Sequence, residues 1–330
     1  MGNELLTRQI GCPSCGTFSD FTVRHLAPNT YQQDVPLTVV SCNRCGLVFL
    51  NPQYTDAAYL DFYSHSYYQD VPAGALEKNR AELGNAYLRH YQDAFSAFAR
   101  ALTASDRVLD VGSGHGTWLK LLFRFADTLD PRNVTALEPS TGACATLRRR
   151  FPAIEVVQDV LPSAKLPKGR FDAVICGALI EHLTDPLEGL VEMNGLLAER
   201  GRLFLVTPSA EPRSFRYGMN RFFKFVHTTY FTTATLDSVL RKAGFEIVQC
   251  RVDPGNDFGI LWCPTILLTA RKARPVQTTV RSPTDPDAAN AAATAELFAG
   301  HVDTRVESSR WRALRLQLAR ARYRITMPRL

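Results

Sequence analysis

Val108-Leu-Asp-Val-Gly-Ser-Gly-His-Gly-Thr-Trp-Leu119 is the stretch that decides the fold of this chain. A strand-forming run ends at Val111. Gly112, Gly114 and Gly116 then turn the chain into a helical pattern that opens at Thr117. Glycines at such a turn let a ligand approach the backbone with no Cβ in the way. A dinucleotide fingerprint, GxGxxG, has its third glycine one position later, where this chain carries Thr117. The GxGxG spacing instead suits a nucleoside bearing a sulfonium amino acid, which has no pyrophosphate to seat on the helix N-terminus.

Outward from this turn the chain alternates. Strand-like runs at 107–111, 133–138, 154–158, 171–176, 202–207, 245–251 and 261–270 are interleaved with helical patterns at 117–126, 142–150, 186–198 and 232–243. Repeated βα units predict an α/β fold, a mostly parallel sheet covered by helices on both faces. Upstream, residues 53–74 are rich in aromatic side chains. From 75 to 102 the spacing of Leu83, Tyr87, Tyr91, Phe95 and Phe98 is helical. Downstream, Pro275, Pro283 and Pro286 mark a linker, an Ala-rich helix runs to Ala299, and a second helix over about 302–324 sets Trp311, Leu314 and Leu318 on one face.

Four of the eight cysteines form two knuckles, Cys12-Pro-Ser-Cys15-Gly16 and Cys42-Asn-Arg-Cys45-Gly46. Each presents two thiolates from one tight turn, and the 26 residues between the knuckles leave room for a hairpin. Together they predict a tetrahedral site that suits structural Zn²⁺; a set of reduced thiols or a redox pair is the other reading. Cys144, Cys176, Cys250 and Cys263 stand in apolar contexts, which predicts buried free thiols. Free thiols and an N-terminus without an apolar signal segment point to a cytoplasmic protein.

With 330 residues, 45% hydrophobic and 21% charged, the chain has ordinary globular composition and no apolar run long enough for a spanning helix. The net charge is +6, and residues 301–330 alone carry eight Arg against Asp303 and Glu307. The other 300 residues therefore sum to zero, which argues against a broad basic face for nucleic acid. The basic 302–324 segment suits packing on the body or on a second copy. A peripheral membrane or protein contact is its alternative use.

On the glycine turn, Glu138 in Thr-Ala-Leu-Glu-Pro-Ser, Asp159 after the third strand and Phe171-Asp-Ala-Val-Ile-Cys-Gly-Ala-Leu-Ile-Glu-His-Leu-Thr-Asp-Pro186, the chain resembles class I S-adenosylmethionine-dependent methyltransferases over roughly 75–270. The resemblance implies a Rossmann-like seven-stranded sheet and S-adenosylmethionine as cofactor. It also implies Glu138 on the ribose hydroxyls, and Asp159 with the Val160 backbone at the adenine. Asp110 would order the glycine loop or meet the methionyl amine, and Tyr68, with Tyr63 and Tyr67, would close a lid over the cofactor. The double knuckle followed by Gly-Leu-Val-Phe-Leu-Asn-Pro52 is similar to the zinc-containing methyltransferases of bacterial sugar and natural-product pathways. The expected divisions are a zinc ribbon at 1–52, an aromatic-rich helical lid at 53–104, a catalytic core at 105–271, and a linker with a helical basic tail at 272–330.

These enzymes act on small hydroxylated acceptors: sugars, nucleotide-linked sugars, cell-surface glycans or natural products. Carbon-methylating members carry a His-Glu-His-type cluster before Tyr-Phe-Ser. Here the segment reads Phe225-Val-His-Thr-Thr-Tyr-Phe-Thr232, keeping His227 and Tyr230 but not the Glu or the first His. That favours O-methylation over carbon methylation. A hydroxyl needs help losing its proton, and imidazole is the obvious acceptor. The expectation is His227 as base with Tyr230 orienting the substrate, and His182 as the next candidate. A divalent ion on Glu181, His182 and a substrate diol is a further option. The main rival is an RNA methyltransferase using the ribbon and the Arg-rich tail. Against it, Cys176-Gly-Ala-Leu179 stands where base-amino enzymes carry Asn/Asp-Pro-Pro-Tyr. A binding protein without turnover is the third reading.

Overall fold

A computed structural model describes residues 7–29, 35–63, 91–163, 165–215, 218–254, 263–273 and 288–299. In chain order the elements are β1 (Thr7–Arg8), β2 (Phe21–Ala27), β3 (Leu37–Cys42), β4 (Val48–Leu50), β5 (Gln53–Tyr54) and α1 (Asp56–Asp61). Helix α2, described over 91–100, precedes β6 (Val108–Val111) and α3 (Thr117–Phe125). There follow β7 (Val134–Leu137), α4 (Thr141–Arg150), β8 (Glu155–Val157), β9 (Phe171–Gly177), α5 (Pro186–Leu196) and β10 (Leu197–Pro208). The last are α6 (Met219–Phe222), β11 (Thr229–Tyr230), α7 (Thr233–Lys242), β12 (Phe245–Asp253), β13 (Thr265–Lys272) and α8 (Ala288–Ala299).

The main sheet has seven strands in the order β12-β13-β10-β9-β6-β7-β8, with β13 antiparallel to both of its neighbours and the rest parallel. All four residues of β6 are buried, as expected for a strand covered on both faces. Leu109, Val174 and Leu205 pack on one face against Leu190, Met193 and Leu236 of α5 and α7. Val108, Ile175 and Phe204 pack on the other against Phe95, Trp118 and Leu122 of α2 and α3. After β8 the chain returns to the far side of β6 to form β9. The crevice where order reverses, at the carboxyl ends of β6 and β9, is where open α/β sheets bind ligands.

The second sheet is antiparallel, β11-β4-β3-β2. Its fourth strand is not part of the ribbon: Thr229 and Tyr230, far along the chain, pair with Phe49 and Val48. The boundary expected at residue 52 is therefore crossed by a backbone ladder. The expected lid at 53–104 also divides. Tyr91, Phe95 and Phe98 of α2 are buried against Trp118 and Phe204 as part of the sheet's core, because an aromatic stripe on a helix is buried where the sheet presents a matching face. Among the described residues of that segment, α1 and Tyr63 just after it lie at the crevice. The Ala-rich helix α8 packs on the second knuckle, where Thr294 Oγ1 donates to the Gly46 carbonyl at 2.8 Å. Tyr67, Tyr68, most of the linker and the 302–324 helix lie outside the described residues. No described helix is long and apolar enough to cross a membrane.

Candidate functional site

A cavity of about 500 Å³ opens at the carboxyl ends of the central strands. Gly112, Gly114, Glu138, Asp159, Val160 and His182 line it, with Tyr59 of α1 and Tyr63 just beyond that helix. The glycine turn is pinned to β7: the amides of Gly112 and Ser113 donate to the Leu137 carbonyl at 2.8 and 3.2 Å. Gly112, Gly114 and Gly116 all have positive φ. At Gly112 (φ +66°) a Cβ would lie 2.8 Å from Leu179 Cδ1, so the close approach of these two loops requires glycine.

Glu138 directly follows β7 and is 4% exposed. Its Oε2 accepts from the Gly114 amide and its Oε1 from the Ser140 amide, both at 2.9 Å. Burial raises its pKa, and the two amides oppose the rise. Beneath the turn, Asp110 is fully buried and neither carboxyl oxygen has a hydrogen-bond partner in the structure. Burial, with the Glu138 charge adding, pushes its carboxyl up to about 8. Ser113 Oγ donates to the Asp110 carbonyl at 2.8 Å and so braces the turn. Asp159 accepts from the Val160 amide at 2.9 Å and from Ser163 Oγ at 2.8 Å. Although burial raises it, Ser163, Val160 and the Lys165 ammonium hold its pKa below the usual value.

Across the cavity stands a cluster of Glu181, His182 and His227, whose donor atoms all lie within 4.8 Å of one another. Glu181 and His182 sit on a 3-10 turn, Ile180–His182, just past β9. Glu181 is buried and accepts from Thr207 Oγ1 at 2.9 Å. Burial pushes its pKa up to about 7 and that of His182 down to about 4; it also takes His227 well below the usual value. His182 Nδ1 lies 2.8 Å from both the Val226 carbonyl and Tyr63 Oη. A carbonyl can only accept, so Nδ1 carries the proton and the Nε2 lone pair is left as acceptor. Thr184 Oγ1 donates to Asp56 Oδ1 at 2.5 Å and fastens α1 to this wall.

The structure reorders the expected catalytic residues. His182 lines the cavity, whereas His227 stands behind it, with ring centroids 4.8 Å apart. Tyr230 does not reach the cavity. It is 2% exposed, packs against Phe222 and Phe223, and spends its hydroxyl on the Lys224 backbone, accepting at 2.8 Å and donating at 3.0 Å. The substrate-orienting role read for Tyr230 is corrected accordingly: β11 belongs to the ribbon's sheet, and that pairing turns its ring into the core. Gly112, Gly114, Glu138, Asp159 and Val160 meet as expected, while Gly116 and Asp110 support the turn from behind. Asp56 and Tyr59 also line the site and carry no signal in the sequence. A six-residue helix docked from the far end of the chain left no spacing to read.

The four knuckle cysteines are buried and converge. Cys12 and Cys45 Sγ are 3.5 Å apart, and Cys15 and Cys42 Sγ 3.6 Å. Tetrahedral Zn–S bonds of about 2.3 Å imply S···S separations of about 3.8 Å, so the donor set fits zinc with small adjustments.

A methyltransferase domain family matches residues 83–250, just over half the chain. The chain belongs to that family. Among curated proteins this methyltransferase is 31% identical over 170 residues to a probable S-adenosylmethionine-dependent methyltransferase of Mycobacterium tuberculosis, covering 51% of this chain and 59% of that one. It is 34% identical over 122 residues to a ubiquinone biosynthesis O-methyltransferase of Xanthomonas campestris, covering 36% of this chain and 49% of that one. The chain thus spans about three fifths, or less, of the length of these curated relatives. Among solved structures, an S-adenosylmethionine-dependent methyltransferase from Mesorhizobium loti aligns with a TM-score of 0.45 at 18% identity, over 55% of this chain and 97% of that one.

The family's cofactor is S-adenosylmethionine, and the residues present fit it. Glycines at positive φ leave the cradle open, the Glu138 carboxylate faces it, and the buried Asp110 carboxyl, neither oxygen of which is hydrogen-bonded, lies beneath the turn. The fold is the Rossmann-like class I methyltransferase fold.

Proposed function

We propose that the protein moves a methyl group from S-adenosylmethionine to a hydroxyl of a small acceptor: a sugar, a nucleotide-linked sugar, a glycan or a natural product. One observation carries the reading. Glu138, Asp159 and Val160, read as the cofactor's polar partners, line the same cavity as the His182 imidazole. The ubiquinone-pathway relative is by name an O-methyltransferase, which supports an oxygen acceptor.

Glu138 holds the ribose hydroxyls, Asp159 and the Val160 amide hold the adenine end, and Asp110 sets the glycine turn. Bound there, the cofactor supplies an activated methyl on sulfonium whose leaving group is a neutral thioether. The chain's remaining task is to align the acceptor oxygen in line and take its proton. Tyr59 and Leu60 of α1, with Tyr63 just past its end, form an apolar side to the cavity. The proton leaves through the Glu181–His182–His227 cluster, with the Val226 carbonyl keeping Nε2 of His182 free to receive it. The knuckle cysteines hold a structural zinc, and the ribbon, through β4 and β11, sets the loop that carries His227. The ribbon, α1 and the sheet form one working unit.

The test is transfer of isotope-labelled methyl from S-adenosylmethionine to panels of sugars, nucleotide sugars, phenols and amines. The reading expects a methyl ether as product. Transfer only to nitrogen or carbon overturns it.

A further inference from the structure

We propose that Glu181, His182 and His227 form a divalent-cation site in the wall of the acceptor cavity, which binds the hydroxyl groups of a vicinal-diol acceptor. The inference rests on the reading above that the acceptor is a hydroxyl compound; it assigns the means by which that hydroxyl is activated.

Three features of the cluster are those of a metal site rather than of an imidazole packed by chance. First, the donor set is two imidazoles and one carboxylate, which suits a first-row divalent cation and leaves coordination positions open. Glu181 Oε1 is 3.8 Å from His182 Nε2, and all three donor atoms fall within 4.8 Å. Bonds of about 2.1 Å need donors about 3.0–3.6 Å apart, which small side-chain rotations supply. Second, the outer contacts are in place. The Val226 carbonyl takes the Nδ1 proton of His182, directing Nε2 toward the cluster, and Thr207 Oγ1 occupies one oxygen of Glu181, leaving the other for the ion. Third, the backbone is fixed around it. The Thr228 amide donates to the Glu181 carbonyl at 2.8 Å and Thr228 Oγ1 donates to the Leu183 carbonyl at 2.5 Å. The two arms of the site, 181–182 and 227, are thereby tied to each other.

A bound cation would also offset part of the cost of burying the Glu181 carboxylate, which Lys224 already eases. A buried carboxylate is expensive unless it is paired or ligates a cation. Lys224 lies near enough to act on both Glu181 and the imidazoles electrostatically, so it opposes a cation and keeps the site weaker than a dedicated structural one. His182 borders the cavity, so the open positions of the ion face the acceptor. A bound diol would present two oxygens to it. The O–H bond of one breaks, its proton passing to a solvent water. That oxygen then forms the bond to the methyl carbon as the carbon–sulfur bond breaks, with its electron pair going to sulfur. With the ion in place both imidazoles are ligands; without it, His182 alone receives the proton.

The experiment titrates Mn²⁺ into the full chain, carrying one zinc per chain and saturated with S-adenosylhomocysteine, and follows the loss of the free-ion electron paramagnetic resonance signal. Mn²⁺ prefers nitrogen and oxygen ligands and leaves the thiolate site alone. One Mn²⁺ per chain is expected, with affinity at least tenfold weaker in Glu181→Gln and in His227→Ala. The His227 ring does not line the cavity, so S-adenosylhomocysteine affinity, melting temperature and zinc content in His227→Ala report whether the fold is intact. His227→Gln is the second variant should that one unfold. No binding by the wild type, or equal binding by wild type and folded variants, overturns the proposal. Binding of Mn²⁺ with no methyl transfer to any hydroxyl compound would sink the O-methylation reading and leave the cation site standing. Transfer that proceeds without Mn²⁺ binding would do the reverse.

Discussion

Replacing Glu138 by Gln tests the cofactor side of the cavity with one atom. The carboxylate accepts two backbone amides at 2.9 Å, one from the glycine turn and one from Ser140, the N-cap residue of α4. Each of its oxygens keeps a second lone pair for a ribose hydroxyl. Glutamine has one carbonyl oxygen, so its NH₂ must face either Gly114 or Ser140. One charge-assisted bond disappears and one buried N–H loses its partner, each worth about 1–3 kcal/mol. On the ligand side, one ribose hydroxyl loses an ionised acceptor, about 1.5–3 kcal/mol. A net loss of about 3 kcal/mol in binding corresponds to an affinity for S-adenosylhomocysteine weakened by about two orders of magnitude. Titration calorimetry on wild type and Glu138→Gln measures it, with zinc content and melting temperature checking that the variant is folded. A folded variant that binds within threefold of wild type would refute the placement of the ribose on Glu138.

Gly177, at the end of β9, has no room for a side chain: a Cβ would fall 1.9 Å from Trp118 Nε1. Gly177→Ala should lower stability by about 1–3 kcal/mol through displaced packing, read as a reduced urea midpoint; an unchanged midpoint contradicts the packing. Asp110 titrates near 8 when buried and near 4 when unfolded, so the native state holds a proton that the unfolded chain lacks across that window. Stability of the cofactor-free protein should therefore fall as pH rises from 6 to 8, by at most about 1.4 kcal/mol per pH unit from this group. Asp110→Asn should flatten that slope in urea titrations, and an identical slope would exclude Asp110 as its source. Mercurial titration of the thiols should release one zinc per chain and lower the melting temperature, whereas a protein that releases none has a ribbon held by packing alone. His182→Ala should reduce turnover by two orders of magnitude or more while calorimetry shows little change in cofactor affinity; undiminished turnover would take the acceptor proton elsewhere.

The parts of the site legible in sequence are those in which chemistry and spacing coincide. The knuckle cysteines, the glycine turn and Glu138 each lie next to the element that positions them, so local order suffices. The parts that escaped depend on pairing across the chain. Nothing in Thr229-Tyr230 announces a strand, because two residues set no period, and its partner Val48-Phe49 is 180 residues away. Once paired, Tyr230 had to turn inward, and a residue resembling a substrate contact became a core one. The order of His182 and His227 was equally hidden. Both follow strands near the cavity, and only the Thr228 contacts with 181 and 183 put one ring in front of the other. Tyr91, Phe95 and Phe98 were legible as a helical stripe, but not which surface they would cover.

The shared ladder between β4 and β11 also bears on how this chain could be recombined with its relatives. A chimera cut at residue 52 would strand Thr229 and Tyr230 without the neighbours they were selected to meet, and would free the loop bearing His227. The transplantable cassette is discontinuous: the ribbon must travel with the segment from Met219 to Phe231, and with α8, whose Thr294 closes the second knuckle. Moving the ribbon intact between such proteins would have to move all three pieces at once.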